Sequence, residues 1–179
     1  EKKKVRKYSL KKLEDKVEII TDPRQGKKRM LDLLKKEGTI AFDYETNGLK
    51  PDKKGHKIVS VSFCLNGEDT FATMLNENGM SVLLRILQSS KLRKVASNLK
   101  FEERWTRAMF GCGVKGWAWD TMLAAHCLDN RAQITSIKFQ SYIHLGISDY
   151  DSHISSYLNS KNANGFNRIE SLDPKELLL

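Results

Sequence analysis

Apolar and polar positions change rhythm several times along this chain, and each rhythm predicts an element. After a lysine-rich start, VEIIT (17–21) is a short apolar run that reads as a strand. Asp22 and Pro23 then supply a capping side chain and a proline suited to a first helical turn. The helix they open carries Met30, Leu31, Leu33 and Leu34 and is expected to end at Gly38. TIAFDYET (39–46) reads as a buried strand whose apolar half runs into acidic residues. Asn47-Gly48 and PDKKGH (51–56) form a turn and a loop. KIVSVSFCL (57–65) alternates like a half-buried strand, Asn66-Gly67 turns the chain, and DTFATML (69–75) continues as another strand.

The period then lengthens. GMSVLLRILQSS (79–90) sets Val82, Leu83, Ile86 and Leu87 along one side of a helix. LRKVASNL (92–99) is a short strand leading into FEERWTRAMF (101–110). There Phe101, Trp105 and Met109 share one helix face before Gly111 stops the helix. VKGWAWD (114–120) is a further strand. From Asp120 onward DTMLAAHCL, ITSIKFQSYIHLG and a last start at Asp173-Pro174 are helical. This order predicts an α/β fold, with a central mixed β-sheet flanked by helices and a helical C-terminal half. No internal repeat interrupts it.

Composition narrows the class. With 179 residues, 40% hydrophobic and 30% charged, the chain can build one domain with a substantial core. No apolar run approaches the ~18 residues that cross a bilayer, so no membrane partner is expected and the cytoplasm is the expected location. Cys64, Cys112 and Cys127 are odd in number, match no zinc spacing, and read as small buried or half-buried thiols in a reducing compartment. A net charge of +9 and a pI near 9.4 favour a polyanionic partner. Much of that excess lies in EKKKVRKYSLKK, so residues 1–16 read as a basic N-terminal extension, a solvated tail or linker, and 17–179 as the domain. The chain opens on Glu1 rather than Met, as a piece of a longer protein would.

The chemistry concentrates on one strand. Asp43 and Glu45 stand two residues apart, so both carboxylates leave the same sheet face while Tyr44 points the other way. Such a pair repels itself unless a cation sits between, and hard ions such as Mg²⁺ or Mn²⁺ take oxygen ligands of this kind. Solvated acids on an exposed edge strand are the competing reading. Ile40, Ala41 and Phe42 favour a buried strand, where unpaired acids are costly.

Four segments carry a resemblance. TIAFDYETNGLKP (39–51) is similar to the first exonuclease motif of the DEDD superfamily, a D-x-E closing a central strand. KVASNLKFE (94–102) resembles the second motif of DNA polymerase I exonuclease domains, N-L-K-[YF]-D, which opens a helix. WDTMLAAHCLDN (119–130) resembles their F-D-T-M-L helix, and FNRI (166–169) matches again before the final helix. The similarity runs from about residue 17 to the end, and phage-type family A polymerases look the nearest. It implies a ribonuclease H-like fold and a 3′-5′ exonuclease that proofreads for a DNA polymerase. Such an enzyme hydrolyses the 3′-terminal phosphodiester of single-stranded DNA with two Mg²⁺ or Mn²⁺ ions ~3.5–4 Å apart. A polymerase domain is expected to follow in the full protein. By the same resemblance Asp43 bridges both ions and Glu45 binds the one that activates water. Glu102 stands where the family has an aspartate and reaches the second ion. Glu103, about 100° around the helix, is its rival.

The family's third motif, Y-x-x-x-D, does not occur in the chain and is expected just past Leu179, so this stretch alone should be weakly active or inactive. His144 and Asp149 fit the H-x-x-x-x-D of the histidine-type branch, but Gly146 interrupts and Ser148-Asp149 reads as a loop and cap. The resemblance also assigns substrate contacts. Leu49 would wedge between the last two bases, with capping of the core as its alternative. Asn98 and Phe101 would touch the terminal nucleotides, although Phe101 also fits the core. Arg131 would meet a phosphate. Trp117 and Trp119 read as packing residues and Asp120 as the cap of the next helix. Two other readings stay open: a noncatalytic domain that supports a polymerase or binds single-stranded DNA, and an RNA-trimming relative of the ribonuclease D type.

Overall fold

The computed structural model describes residues 9–147, 150–162 and 164–179. Within the basic extension a short helix, α1 (Leu10–Glu14), precedes strand β1 (Val17–Ile20). Helix α2 (Pro23–Leu33) starts as its sequence dictates: the Asp22 side chain accepts from the Arg24 N–H and Pro23 occupies the first turn. It stops at Leu33, short of the expected Gly38. Gly38 instead opens β2 (Gly38–Thr46) at a φ of +138°, a conformation that side-chain-bearing residues rarely adopt. Strands β3 (Ile58–Leu65) and β4 (Asp69–Met74) follow, then α3 (Glu77–Gln88), capped by Asn76. Strand β5 (Leu92–Ala96) leads to α4 (Leu99–Phe110), which begins two residues before the expected Phe101. Strand β6 (Trp117–Asp120) feeds α5 (Thr121–Leu128), α6 (Ile137–Leu145), α7 (Ser152–Leu158), a 3₁₀ turn at Ile169–Ser171 and α8 (Pro174–Leu178).

Among the described residues six strands form one mixed sheet in the order β1-β4-β3-β2-β5-β6. The β2–β3 and β3–β4 pairs are antiparallel, and β1–β4, β2–β5 and β5–β6 are parallel. The acidic strand β2 is therefore interior, and the expected α/β architecture with its helical C-terminal half is present. No helix among these residues is long and apolar enough to cross a membrane.

Strand alternation sorts the two sheet faces. Ile40, Phe42 and Tyr44 of β2 lie opposite Leu65, Phe63 and Val61 of β3 and point into the main core. There they meet Met30 and Leu33 of α2, the Val82, Leu83, Ile86 and Leu87 face of α3, and Trp105 of α4. Each such large side chain contributes roughly 1.5–3 kcal/mol on burial. Phe42 is the hub, its ring 5.4 Å from Tyr44 and 5.5 Å from Trp117 between centroids. Helix α2 sits so close to the sheet that a Cβ on Gly26 would lie 1.8 Å from Thr73 Oγ1. The opposite face of β2, β3 and β4 carries Ala41, Asp43, Glu45, Ser60, Ser62, Cys64, Thr70 and Ala72. These small or polar side chains leave room above the strands. A second, smaller core of Val59, Ile154, Ile169, Leu172 and Leu177 fastens the C-terminal segments over one end of this face.

Candidate active site

The acids gather where the parallel strands end. Strands β2, β5 and β6 lie side by side with their C-terminal ends at the same edge, the position where α/β sheets open their ligand crevice. Asp43 and Glu45 leave β2 there. The chain leaves β5 through Ser97 and Asn98 into α4, whose first turn presents Glu102, and β6 ends on Asp120. Two adjoining cavities of 510 and 460 Å³ occupy the crevice, and Asp43 lines both. That size suits a small ligand or one end of a polymer.

Glu102 decides the character of the site. Only 1% of its surface is exposed, and its Oε2 is buried with no donor to accept from. Its carboxyl adjoins that of Asp43 closely enough to share a proton. Burial first, and then the charge of Asp43, hold Glu102 well above the usual carboxylate range. Asp43, although its side chain is open to the crevice, is also raised by partial desolvation, against the hydrogen bond from Glu102 that lowers it. Glu45 is pushed up to about 7 by burial, then by Asp43 and Asp151. The protein thus concentrates three acids where ionising all of them is unfavourable without a counter-charge.

The rival acid, Glu103, is engaged by other partners. Glu103 accepts from the Val114 backbone N–H at 2.9 Å, from Trp117 Nε1 at 3.0 Å and from Arg107 Nε at 2.6 Å. Those donors hold it below the usual range even though burial pushes the other way. It fastens α4 to the segment before β6. Tyr44, between the two strand acids, reaches through the sheet in the opposite direction and pairs its hydroxyl with Thr106 Oγ1 at 3.0 Å. Thr106 lies one turn beyond Glu102, so this bond aligns α4 against the acidic stretch of β2.

The end of β2 is secured by residues far along the chain. The register with β3 shifts between Glu45 and Thr46, and the Asn167 side chain donates to the Thr46 carbonyl at 2.8 Å. Asn47 is buried. It donates to Glu170 at 2.8 Å and accepts from the Lys57 N–H at 2.8 Å, while Lys57 pairs with Glu170 at 2.6 Å. The FNRI segment therefore acts as a clasp on the strand that bears the acids. Gly48 allows the turn to pass over His56, whose ring would stand 2.4 Å from a Cβ there.

The substrate-contact candidates separate. Asn98 lines the crevice with Asp43 and occupies the left-handed region, at φ 64° and ψ 52°. Leu49 is 56% exposed beyond the end of β2, so it does not cap the core. Phe101 is partly buried against Trp105, their ring centroids 6.2 Å apart, which places it with the core. Arg131 lies on the loop after α5, outside the crevice lining, and its guanidinium grips Asp129 at 2.6–3.0 Å. Asp120 accepts from backbone N–H groups at both oxygens, as a helix cap does. Trp117 stacks on Phe42 as expected, whereas Trp119 is 59% exposed on the edge strand and is not a packing residue. His144 pairs with Gln140 at 3.1 Å on an exposed face, and α6 ends at Gly146 with φ 71°; Asp149 lies outside the described residues.

Two residues that the sequence pattern passed over enter the crevice. Tyr150 and Asp151 line it, and Asp151 faces Glu45 while bonding Lys138 at 2.6 Å. Nothing in the local pattern signals this, because they follow the loop after α6 and reach the sheet only through the second core.

Among the described residues no three of His, Cys, Asp and Glu stand close enough to enclose a metal ion by themselves. The donor set nonetheless fits a hard divalent cation. Glu102 has an unpartnered buried oxygen beside Asp43, Glu45 lies on the same face, and a Mg²⁺-like ion keeps several positions for water and substrate oxygens.

Comparison with known proteins agrees with the geometry. Residues 17–162 match the family described as 3′-5′ exonuclease. Solved structures share the fold at low identity. Escherichia coli RNase D, an exoribonuclease, superposes with a TM-score of 0.58 at 15% identity, over 78% of this chain and 36% of that one. Brucella melitensis NrnC with bound Mg²⁺ gives 0.53 at 16%, over 82% and 69%. Pol1 from M. smegmatis, in complex with DNA primer-template and dNTP, gives 0.57 at 13%, over 73% and 23%.

Proposed function

Since this chain belongs to the 3′-5′ exonuclease family, we propose that it hydrolyses the terminal phosphodiester at the 3′ end of single-stranded DNA as the proofreading domain of a DNA polymerase. The observation that carries the reading is the buried Glu102 carboxyl, one oxygen without a partner, set against Asp43 at the C-terminal edge of β2 and β5. A buried acid of this kind costs several kcal/mol unless something positive meets it. Asp43, Glu45 and Glu102 would hold the divalent ions. Such ions, when bound, lower the pKa of a water and neutralise charge developing on the phosphate.

The remaining work falls to the chain itself. Asp43 and Glu45 hold their carboxylates at fixed spacing on one rigid strand, and Tyr44–Thr106 keeps α4 in line with them. Asn98 faces the crevice from the turn before α4, where it can bond the terminal nucleotide, and Leu49 stands exposed beyond Glu45, where it can wedge against a base. The small side chains of the β3 and β4 face leave space for the substrate. The polymerase setting is supported by the resemblance of the D-x-E, N-L-K-F-E and F-N-R-I segments, and the positive charge of +9 suits a phosphate backbone.

The test is cleavage of 5′-labelled single-stranded DNA and RNA of one sequence in Mg²⁺ or Mn²⁺, by the chain and by a form extended past Leu179. Stepwise shortening from the 3′ end, faster on DNA and lost in Asp43→Ala, is expected. Faster loss of RNA would move the protein to the ribonuclease D type. Inactivity of both forms, or activity indifferent to Asp43→Ala, would refute the enzyme reading.

A further inference from the structure

We propose that Asp120 is a positioning residue for the cation site: its single carboxylate sets the starts of two helices and thereby places Glu102 against Asp43. The inference rests on the function proposed above. It arises from a hydrogen-bond pattern that helix capping alone does not require.

As the cap of α5, Asp120 accepts from Met122 N at 2.8 Å and Leu123 N at 3.2 Å, both through Oδ1. The same carboxylate crosses to the neighbouring strand connection, where Oδ1 accepts from Asn98 N at 3.1 Å and Oδ2 from Leu99 N at 2.9 Å. Four backbone N–H groups from two helix starts thus converge on one buried anion. Each helix directs its positive end at it.

Helix α4 needs this outside help. Its N-cap, Asn98, sits in the left-handed region and makes no side-chain cap of its own. Asparagine tolerates that region better than most residues, and here bonds from its surroundings hold it. The N–H groups of Asn98 and Leu99 are among those that a helix start leaves without intrahelical partners. Asp120 supplies both acceptors, so the turn from β5 into α4 is fixed by a side chain from β6.

Glu102 lies three residues beyond Leu99, within the turn that Asp120 fixes. Successive helical residues are about 100° apart around the axis, so a start displaced by one residue would turn Glu102 away from Asp43. Farther along, the Tyr44–Thr106 bond and the contacts of Glu103 hold α4 at two more points. Neither reaches the first turn. Asp120 does, and its charge lies near enough to Glu102 to act on it.

The experiment compares the wild type with Asp120→Ala and Asp120→Asn by two readouts. The first is hydrogen exchange and chemical shift of the Asn98 and Leu99 amides in ¹⁵N spectra. The second is Mn²⁺ affinity from paramagnetic broadening, measured well below each variant's melting temperature. Outer partners of metal ligands are typically worth 10–100-fold in metal affinity, so Asp120→Ala should lose at least about tenfold. Asp120→Asn keeps the shape and one acceptor oxygen and should recover part of that loss. It also serves as the folded comparison if the alanine variant does not fold. Fast exchange and shifted resonances at Asn98 and Leu99 should accompany the weaker binding, while core amides stay protected. Wild-type Mn²⁺ affinity in both variants would overturn the inference, and so would unperturbed Asn98 and Leu99 amides. Absence of Mn²⁺ binding by the wild type would instead refute the proposed function, and the amide readout would then decide the role of Asp120 alone.

Discussion

Replacing Glu45 by glutamine should change how stability depends on pH. In an unfolded chain Glu45 titrates near 4.5; in the folded, cation-free protein burial and the neighbouring Asp43 and Asp151 move it to about 7. Between those values the folded protein holds a proton that the unfolded chain has released. The contribution is full below about pH 4.5 and is lost as the pH rises through 7. At about 1.36 kcal/mol per tenfold change in proton activity, the interval from 4.5 to 7 amounts to about 3 kcal/mol. That is an upper limit, since water in the crevice screens the charges. For a chain of this size it corresponds to a fall of about 6–12 °C in melting temperature. Glutamine carries no proton to lose, so Glu45→Gln should flatten this part of the profile. The assay is thermal unfolding by circular dichroism from pH 4.5 to 7.5 in the presence of a chelator, read as the difference between wild type and variant. A difference that stays constant with pH, or that favours the wild type as pH rises, would show that Glu45 is not held among uncompensated acids.

A divalent ion should act on the same acids from the other side. Mn²⁺ at about one hundred times its dissociation constant should add about 2.7 kcal/mol to stability near pH 7, and Asp43→Asn should abolish the response in the same melting experiment. Glu103→Gln should cost about 2 kcal/mol in urea unfolding, because Val114 N, Trp117 Nε1 and Arg107 lose a charged acceptor, and should leave Mn²⁺ binding intact. Glu102→Gln should do the reverse, weakening Mn²⁺ binding with little loss of cation-free stability. Gly26→Ala should destabilise by forcing α2 away from Thr73, and adding Thr73→Ala should recover much of the loss; strictly additive effects in a double-mutant cycle would contradict the close packing.

The acidic strand was legible from the sequence because strand alternation is local. A period of two put Ile40, Phe42 and Tyr44 on one face and Asp43 and Glu45 on the other, and the fold kept that division. The order of strands and helices was legible for the same reason, and so were the caps at Asp22 and Asp120, whose side chains bond N–H groups only two or three residues on. Helix ends were less so. The end of α2 and the start of α4 each differ from expectation, since the last turn depends on what the neighbouring strand needs.

Tertiary structure alone decided which of two neighbouring acids stands beside Asp43 in the candidate site. Glu102 and Glu103 are neighbours on one helix, and only the angle at which α4 leaves β5 turns the first to Asp43 and gives the second to Val114, Trp117 and Arg107. It also brought Asp151 to Glu45, bound Asn167 and Glu170 to the end of β2, left Trp119 in solvent, and drew the N–H groups of Asn98 and Leu99 onto Asp120. Most of those contacts join segments dozens of residues apart. A periodic pattern records which way a side chain faces on its own element, and what it faces is set by the order in which the strands assemble.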